Sequence, residues 1–268
     1  SPGREGEHSN VKIKALALVL TAALLLCGCG QKSETAAAAP AQAVTAPAAQ
    51  SSTARPVSTG VTPEQFGAKG DGIADDLQAL QAAMQQASAS GRPLELTAGA
   101  VYRFSSCLGL PSGLTIRGNG AVLLSDIQYP DLKEDRVAVE LMKDSDDDRA
   151  HDVRLENVTF RAADSCQANY MLRVMLARNV EFVGCTFDCE PNEWGRCAAD
   201  LYGGNENIRF EGCVFRQMTS GASGGIWVRN WTDRVESRNI RFQNCEFYKS
   251  GADELLAVWG WGGAVRDR

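Results

Sequence analysis

The feature that most constrains this chain is a nine-residue unit that occurs four times at nearly even spacing. Asn179-Val-Glu-Phe-Val-Gly-Cys-Thr-Phe187, Asn207-Ile-Arg-Phe-Glu-Gly-Cys-Val-Phe215 and Asn239-Ile-Arg-Phe-Gln-Asn-Cys-Glu-Phe247 superpose directly, and Asp152-Val-Arg-Leu-Glu-Asn-Val-Thr-Phe160 is a weaker copy. Their starts lie 27, 28 and 32 residues apart, a period that signals units stacked on one another. Within each copy apolar residues alternate, so Val180 and Phe182, Ile208 and Phe210, and Ile240 and Phe242 face inward while Glu181, Arg209 and Arg241 face outward. A Gly or Asn turn follows, after which Cys185, Cys213 and Cys245, with Phe187, Phe215 and Phe247, return to the interior. Stacked at about 4.8 Å, each coil satisfies its neighbour's backbone and adds a layer to one core. The segment from Leu114 to Leu123 is read as an earlier coil. The remaining third of each coil is strand-like in Tyr170-Met-Leu-Arg-Val-Met-Leu176, Cys197-Ala-Ala-Asp-Leu-Tyr202, Gly225-Ile-Trp-Val-Arg229 and Leu255-Leu-Ala-Val-Trp259. Unequal turn lengths leave the mutual register of these strands open.

Ahead of the repeats, Val61-Thr-Pro-Glu-Gln-Phe-Gly-Ala-Lys-Gly-Asp-Gly-Ile-Ala-Asp-Asp opens a turn-rich entry followed by a helix pattern. Gly67, Gly70 and Gly72 permit tight turns, Asp75 is expected as N-cap with Gln78 completing a capping box, and Leu77, Leu80, Met84 and Ala87 line one helical face. Gly91 and Pro93 stop the helix. Cap and turn geometry accounts for Asp71, Asp75 and Asp76 without a metal or acid–base role. The Phe-Gly-Ala-Lys-Gly-Asp-Gly run and the following Leu94-Glu-Leu-Thr-Ala-Gly-Ala-Val-Tyr resemble the N-terminal cap signature of the pectate-lyase-like superfamily, with Thr97 where Pro is usual and Gln65 where Asp is usual. That resemblance implies an all-β fold, a right-handed parallel β-helix whose first strand and short helix cap the N-terminal end. The sequence stops at Arg268 without a covering element, so further coils are expected beyond it.

The first 60 residues read differently. Residues 1–10 are taken as upstream sequence or a fragment edge, and residues 11–29 as a lipoprotein signal: Lys12 and Lys14 precede the apolar run from Ala15 to Leu26, and Leu26-Cys-Gly-Cys29 resembles a lipobox with Cys29 as the acylated residue. The run is too short to span a bilayer. Residues 30–60, rich in Ala, Pro, Ser and Thr, are expected to be a disordered linker, and residues 61–268 the β-helix domain. This organisation places the protein in the bacterial cell envelope, touching the membrane through its lipid anchor only. A net charge of −6 argues against a nucleic-acid partner.

Cys185, Cys213 and Cys245 are read as a buried thiol column, whereas Cys189 and Cys197 flank an irregular loop and are left open between a bridge and free thiols. No metal site is expected, because the two histidines, His8 and His151, lie away from the cysteines. The Asp144-Ser-Asp-Asp-Asp148 run is read as a solvated loop. The superfamily resemblance implies a polysaccharide partner and a glycoside hydrolase or polysaccharide lyase without a cofactor, calcium being implied only for a lyase. No complete catalytic motif of the polygalacturonase relatives stands in the sequence, which supports the alternative of a non-catalytic, glycan-binding or adhesive surface protein. The candidate catalytic residues are Asp200, Asp253, Glu254 and Arg229, and the candidate sugar-stacking residues Tyr202, Trp227, Trp231, Trp259 and Trp261. Asp253 and Glu254 point to opposite faces of a regular strand, so Asp200 with one of them, two coils and about 9.6 Å away, is the favoured pair. Set against this, the acids are read as solvated turn residues and the Trp residues as packing groups.

Overall fold

The computed structural model describes residues 60–128, 136–141, 148–189, 197–218, 225–230, 236–249 and 256–260. Their strands form three parallel sheets in which the neighbours come from successive coils. Sheet A contains Leu94–Glu95, Thr115–Arg117, Ala150–Glu156, Ala177–Val183, Glu206–Glu211 and Arg238–Gln243. Sheet B contains Asp71–Asp75, Val101–Phe104, Val122–Ser125, Thr159–Ala162, Thr186–Asp188, Val214–Met218 and Glu246–Lys249. Sheet C contains Leu108–Gly109, Val137–Leu141, Tyr170–Met175, Cys197–Tyr202, Ile226–Asn230 and Leu256–Gly260. Each coil runs from C to A to B, and the architecture is a right-handed parallel β-helix.

The repeats superpose in space as they do in sequence. On sheet A, Leu94, Ile116, Leu155, Phe182, Phe210 and Phe242 occupy one register position, and on sheet B Tyr102, Leu123, Phe160, Phe187, Phe215 and Phe247 occupy another. The Phe182, Phe210 and Phe242 rings stack at 4.7 and 4.8 Å, and Phe160, Phe187, Phe215 and Phe247 at 4.9, 4.8 and 5.1 Å. The two columns meet edge to face, as between Phe182 and Phe187 at 64°. One coil thus supplies stacked and T-shaped contacts at once, both favourable for aromatic quadrupoles.

Cys185, Cys213 and Cys245 line the corner between sheets A and B as free thiols. Their Sγ atoms donate to the carbonyls of Leu155, Phe182 and Phe210 in the preceding coil, at 3.5, 3.3 and 3.5 Å. The neighbouring Cys185 thiol and burial push the Cys213 thiol up. Cys189 and Cys197 are also buried, and no disulfide joins them.

The last four strands of sheet A each bend at one residue with positive φ: Asp152, Asn179, Asn207 and Asn239, at 53°, 55°, 57° and 55°. Asn and Asp tolerate this conformation better than other side-chain-bearing residues. Their side chains form a ladder in which Asn179 Nδ2 donates to Asp152 Oδ1 (2.9 Å), Asn207 to Asn179 (3.0 Å) and Asn239 to Asn207 (2.6 Å). The corner leading to sheet B is made by Asn157, Gly184, Gly212 and Asn244, again with positive φ.

At the N-terminal end, helix α1 (Leu77–Ser90) buries Leu80, Ala83, Met84 and Ala87 against the first coil and ends at Gly91, whose φ is 63°. The capping expectation needs correction. Asp76 is the N-cap residue and Asp75 closes the preceding strand, with no capping box to Gln78. The Asp76 carboxylate instead accepts the N–H groups of Lys69 (2.7 Å) and Gly70 (3.0 Å), because the glycine-rich turn brings those otherwise unpaired amides to it. Asp71 closes its own turn by accepting from Ile73 and Ala74, and Asp75 accepts from Leu77 N and Ser105.

Candidate functional site

The lengths of the connections single out one face. From sheet A to sheet B the chain uses two residues in four successive coils, at 157–158, 184–185, 212–213 and 244–245. From C to A it uses eight, one, three and seven (142–149, 176, 203–205, 231–237), and from B to C seven, eight, seven and six (163–169, 189–196, 219–225, 250–255). Variation therefore borders sheet C on both sides, and variable loops on a rigid scaffold are where binding groups concentrate.

The register of sheet C brings together residues that sequence spacing left unaligned. Leu172, Ala199 and Ile226, and Val174, Leu201 and Val228, stack inward. The alternate residues form outward rows, one running Glu140, Arg173, Asp200 and Trp227, the next Met175, Tyr202 and Arg229. At their centre Asp200 is fully buried. Arg229, from the following coil, grips it bidentately, with Nε on Oδ1 and Nη2 on Oδ2, both at 2.7 Å. Arg173, from the preceding coil, donates Nε to Oδ2 at 3.1 Å. Burial works against the Arg229 charge, but the hydrogen bonds and charge of Asp200 outweigh it and push the guanidinium pKa up.

Aromatic rings enclose both cations. The Arg173 guanidinium lies 4.6 Å from the Tyr170 ring centre, and that of Arg229 lies 4.8 Å from Trp227 and 4.9 Å from Tyr202. Tyr170 meets Trp227 edge-on at 5.8 Å. Desolvated guanidinium groups over aromatic faces are each stabilised by about 2 kcal/mol. Two guanidinium groups flank the one buried carboxylate, and Glu140 stands in register on the other side of Arg173. Beside Glu140, burial and the Glu140 charge push the Cys107 thiol up to about 12.

Four sequence candidates, Asp200, Arg229, Tyr202 and Trp227, therefore meet in one cluster. Asp253, Glu254, Trp231, Trp261 and Cys29 lie outside the described residues, and for Trp259 only the backbone is described, in register with Arg229. Of the acidic run, Asp148 is described and exposed. Arg173, Tyr170 and Glu140 were missed, although Arg173 stands 27 residues before Asp200, the interval that separates Asp152 from Asn179. The donor set does not suit calcium: both Asp200 oxygens face guanidinium groups, and no cluster of three His, Cys, Asp or Glu occurs among the described residues.

The sequence profile described as "Rhamnogalacturonase A/epimerase, pectate lyase-like" matches residues 61–253. The chain belongs to that family. No curated protein sequence matches it. Among solved structures, the surface protein and adhesin PfbA of Streptococcus pneumoniae is 16% identical with a TM-score of 0.55, over 77% of this chain and 58% of PfbA. ORF18 of Geobacillus virus E2 is 17% identical with a TM-score of 0.54, over 74% of this chain and 40% of its own. Tailspike protein 3 of bacteriophage CBA120 is 14% identical with a TM-score of 0.50, over 77% and 34%. At these identities the likeness is one of fold, and the match spans about a third to three fifths of each structure's length.

Proposed function

We propose that the outer face of sheet C binds an acidic polysaccharide and that the chain is a carbohydrate-active β-helix protein, a glycoside hydrolase or polysaccharide lyase of the cell envelope held by a lipid on Cys29. The observation that carries this reading is the Asp200 carboxylate clamped between Arg173 and Arg229 under three aromatic rings. Asp200 fixes the orientation of the two guanidinium groups, the side-chain type that suits a uronate carboxylate. Tyr170, Tyr202 and Trp227 suit the apolar faces of sugar rings. Glu140, partly exposed, is the carboxylate of this row placed for acid–base work, about two coil rises from Asp200. A second reading, glycan binding without catalysis, is favoured by the engagement of both Asp200 oxygens by guanidinium groups.

The test is to incubate the chain with polygalacturonate and with neutral galactan, measuring binding by calorimetry and cleavage by new reducing ends or absorbance of unsaturated products. Arg229→Gln is expected to weaken polygalacturonate binding at least tenfold, and Trp227→Ala to weaken both ligands. Glu140→Gln abolishes turnover under the enzyme reading and changes nothing under the binding reading. Unchanged polygalacturonate affinity in folded Arg229→Gln protein would overturn the assignment of this face.

A further inference from the structure

Sheet A carries a second surface that the reading above does not use. Where its strands bend at the positive-φ residues, the outer face forms a groove of about 460 Å³ running across the coils. One wall is the Asp152, Asn179 and Asn207 part of the side-chain ladder, and the other the row of Arg154, Glu181 and Arg209. We infer that this groove is a binding site for a linear, neutral polysaccharide, whose hydroxyls bond Asn179 and Asn207 on one side and Glu181 and Arg209 on the other. These four residues have a described coil on either side. The site therefore rests on neither end of the sheet, and coils stacked beyond it would lengthen the groove without filling it.

The ladder supplies the first argument. An amide nitrogen has two N–H donors and an amide oxygen two lone pairs. Asn179 and Asn207 each give one N–H to the rung before and accept one from the rung after, and both residues are exposed. One donor and one lone pair per coil are left for a ligand, the complement of a hydroxyl, which both donates and accepts. They recur at the coil rise of about 4.8 Å, which suits a polymer that presents hydroxyls at regular intervals.

Charge supplies the second. Arg154 pairs with Glu156 and Glu181, and Arg209 with Glu181 and Glu211. At the head of the ladder, the Asn179 amide and His151 hold Asp152 below the usual carboxylate range. With Arg241 included, three guanidinium groups stand against four carboxylates along the groove and its ion pairs. No surplus of guanidinium charge awaits a uronate, which would instead meet Glu181 at the centre, and juxtaposed like charges cost affinity. Hydroxyls carry no such cost, and the partly exposed Glu181 and Arg209 can accept from them and donate to them.

The third concerns the backbone. The groove lies on the face of a sheet whose backbone groups are already spent on neighbouring strands. An added peptide strand binds to unpaired edge groups, so side chains alone are on offer here, and these suit hydroxyls.

The test is an NMR titration of the chain with a neutral galactan oligomer and with an oligogalacturonate of equal length. The side-chain amide signals of Asn179 and Asn207 report the groove, and the Trp227 indole signal reports sheet C. The neutral oligomer is expected to shift both amides, and the oligogalacturonate to do so at least tenfold more weakly. Asn207→Asp removes the spare donor while keeping a residue type that the equivalent bend at Asp152 already carries. It should weaken the Asn179 response to the neutral oligomer about tenfold, equivalent to about 1.4 kcal/mol, and leave the indole response intact. Asn207→Gly, suited to the same φ, should act likewise. Amides that do not respond, amides that respond to oligogalacturonate as strongly or more strongly, or an Asn179 response that neither variant weakens would each overturn the inference. An indole response without an amide response leaves the sheet C reading standing alone, and an amide response without an indole response does the reverse.

Discussion

The corner between sheets A and B and the flanks of sheet C are made by the same coils under opposite constraints. At the corner each of the four later coils spends two residues, one with positive φ and one turned inward, such as Gly212 and Cys213. Around sheet C the connections of the same four coils range from one to eight residues, and the outward side chains of the sheet are mostly charged and aromatic. The difference teaches that stacking fixes the corner. An extra residue there would turn Phe215 outward, whereas an extra residue beside sheet C is absorbed before the next strand begins.

The sharpest way to break this contrast is by insertion. A single Gly after Gly212 should abolish cooperative unfolding or cost more than about 5 kcal/mol, whereas the same insertion between the exposed Asp164 and Ser165 should cost less than about 1 kcal/mol. Equal effects in urea denaturation would refute it. Next in size, Phe210→Ala removes a ring that stacks on two others and meets Phe187 and Phe215, and should cost about 3–5 kcal/mol. A loss below 1 kcal/mol would mean that the columns close over the gap.

The smallest effect sharpens the comparison at the N-terminal cap. Tyr102 donates to Glu64 Oε1 at 2.5 Å, and burial together with that bond pushes its hydroxyl up to about 12. A pKa raised by folding gives stability that is complete below the unfolded value of about 10 and is lost as pH rises through the folded one. Stability should therefore fall between pH 10 and about 12, and Tyr102→Phe, costing about 1 kcal/mol at pH 7, should remove that part of the decline. An unaltered alkaline profile in the variant, followed by circular dichroism, would assign the decline to other groups.

The fold was legible because interior positions repeat in kind: Asn, an aliphatic residue, Phe, a turn, Cys and Phe mark both the bend and the columns. The ladder of side chains was visible as aligned Asn residues, but its positive φ was not, since spacing carries no dihedral information. The candidate site was half legible. Asp200, Arg229, Tyr202 and Trp227 stood out by type, while Arg173 and Tyr170 lay inside an apolar run and Glu140 in a strand without a repeat signature. Their meeting depends on the register of sheet C, which connections of unequal length hide from the sequence.

The sharing of Asp200 between guanidinium groups from the coils before and after it has a consequence for biosynthesis. Because a chain emerges from its N-terminal end, Asp200 must wait with Arg173 alone until the coil carrying Arg229 has docked. Assembly of this cluster is thus postponed until three layers are in place, so the fully paired Asp200 is a readout of winding through the coil that carries Arg229.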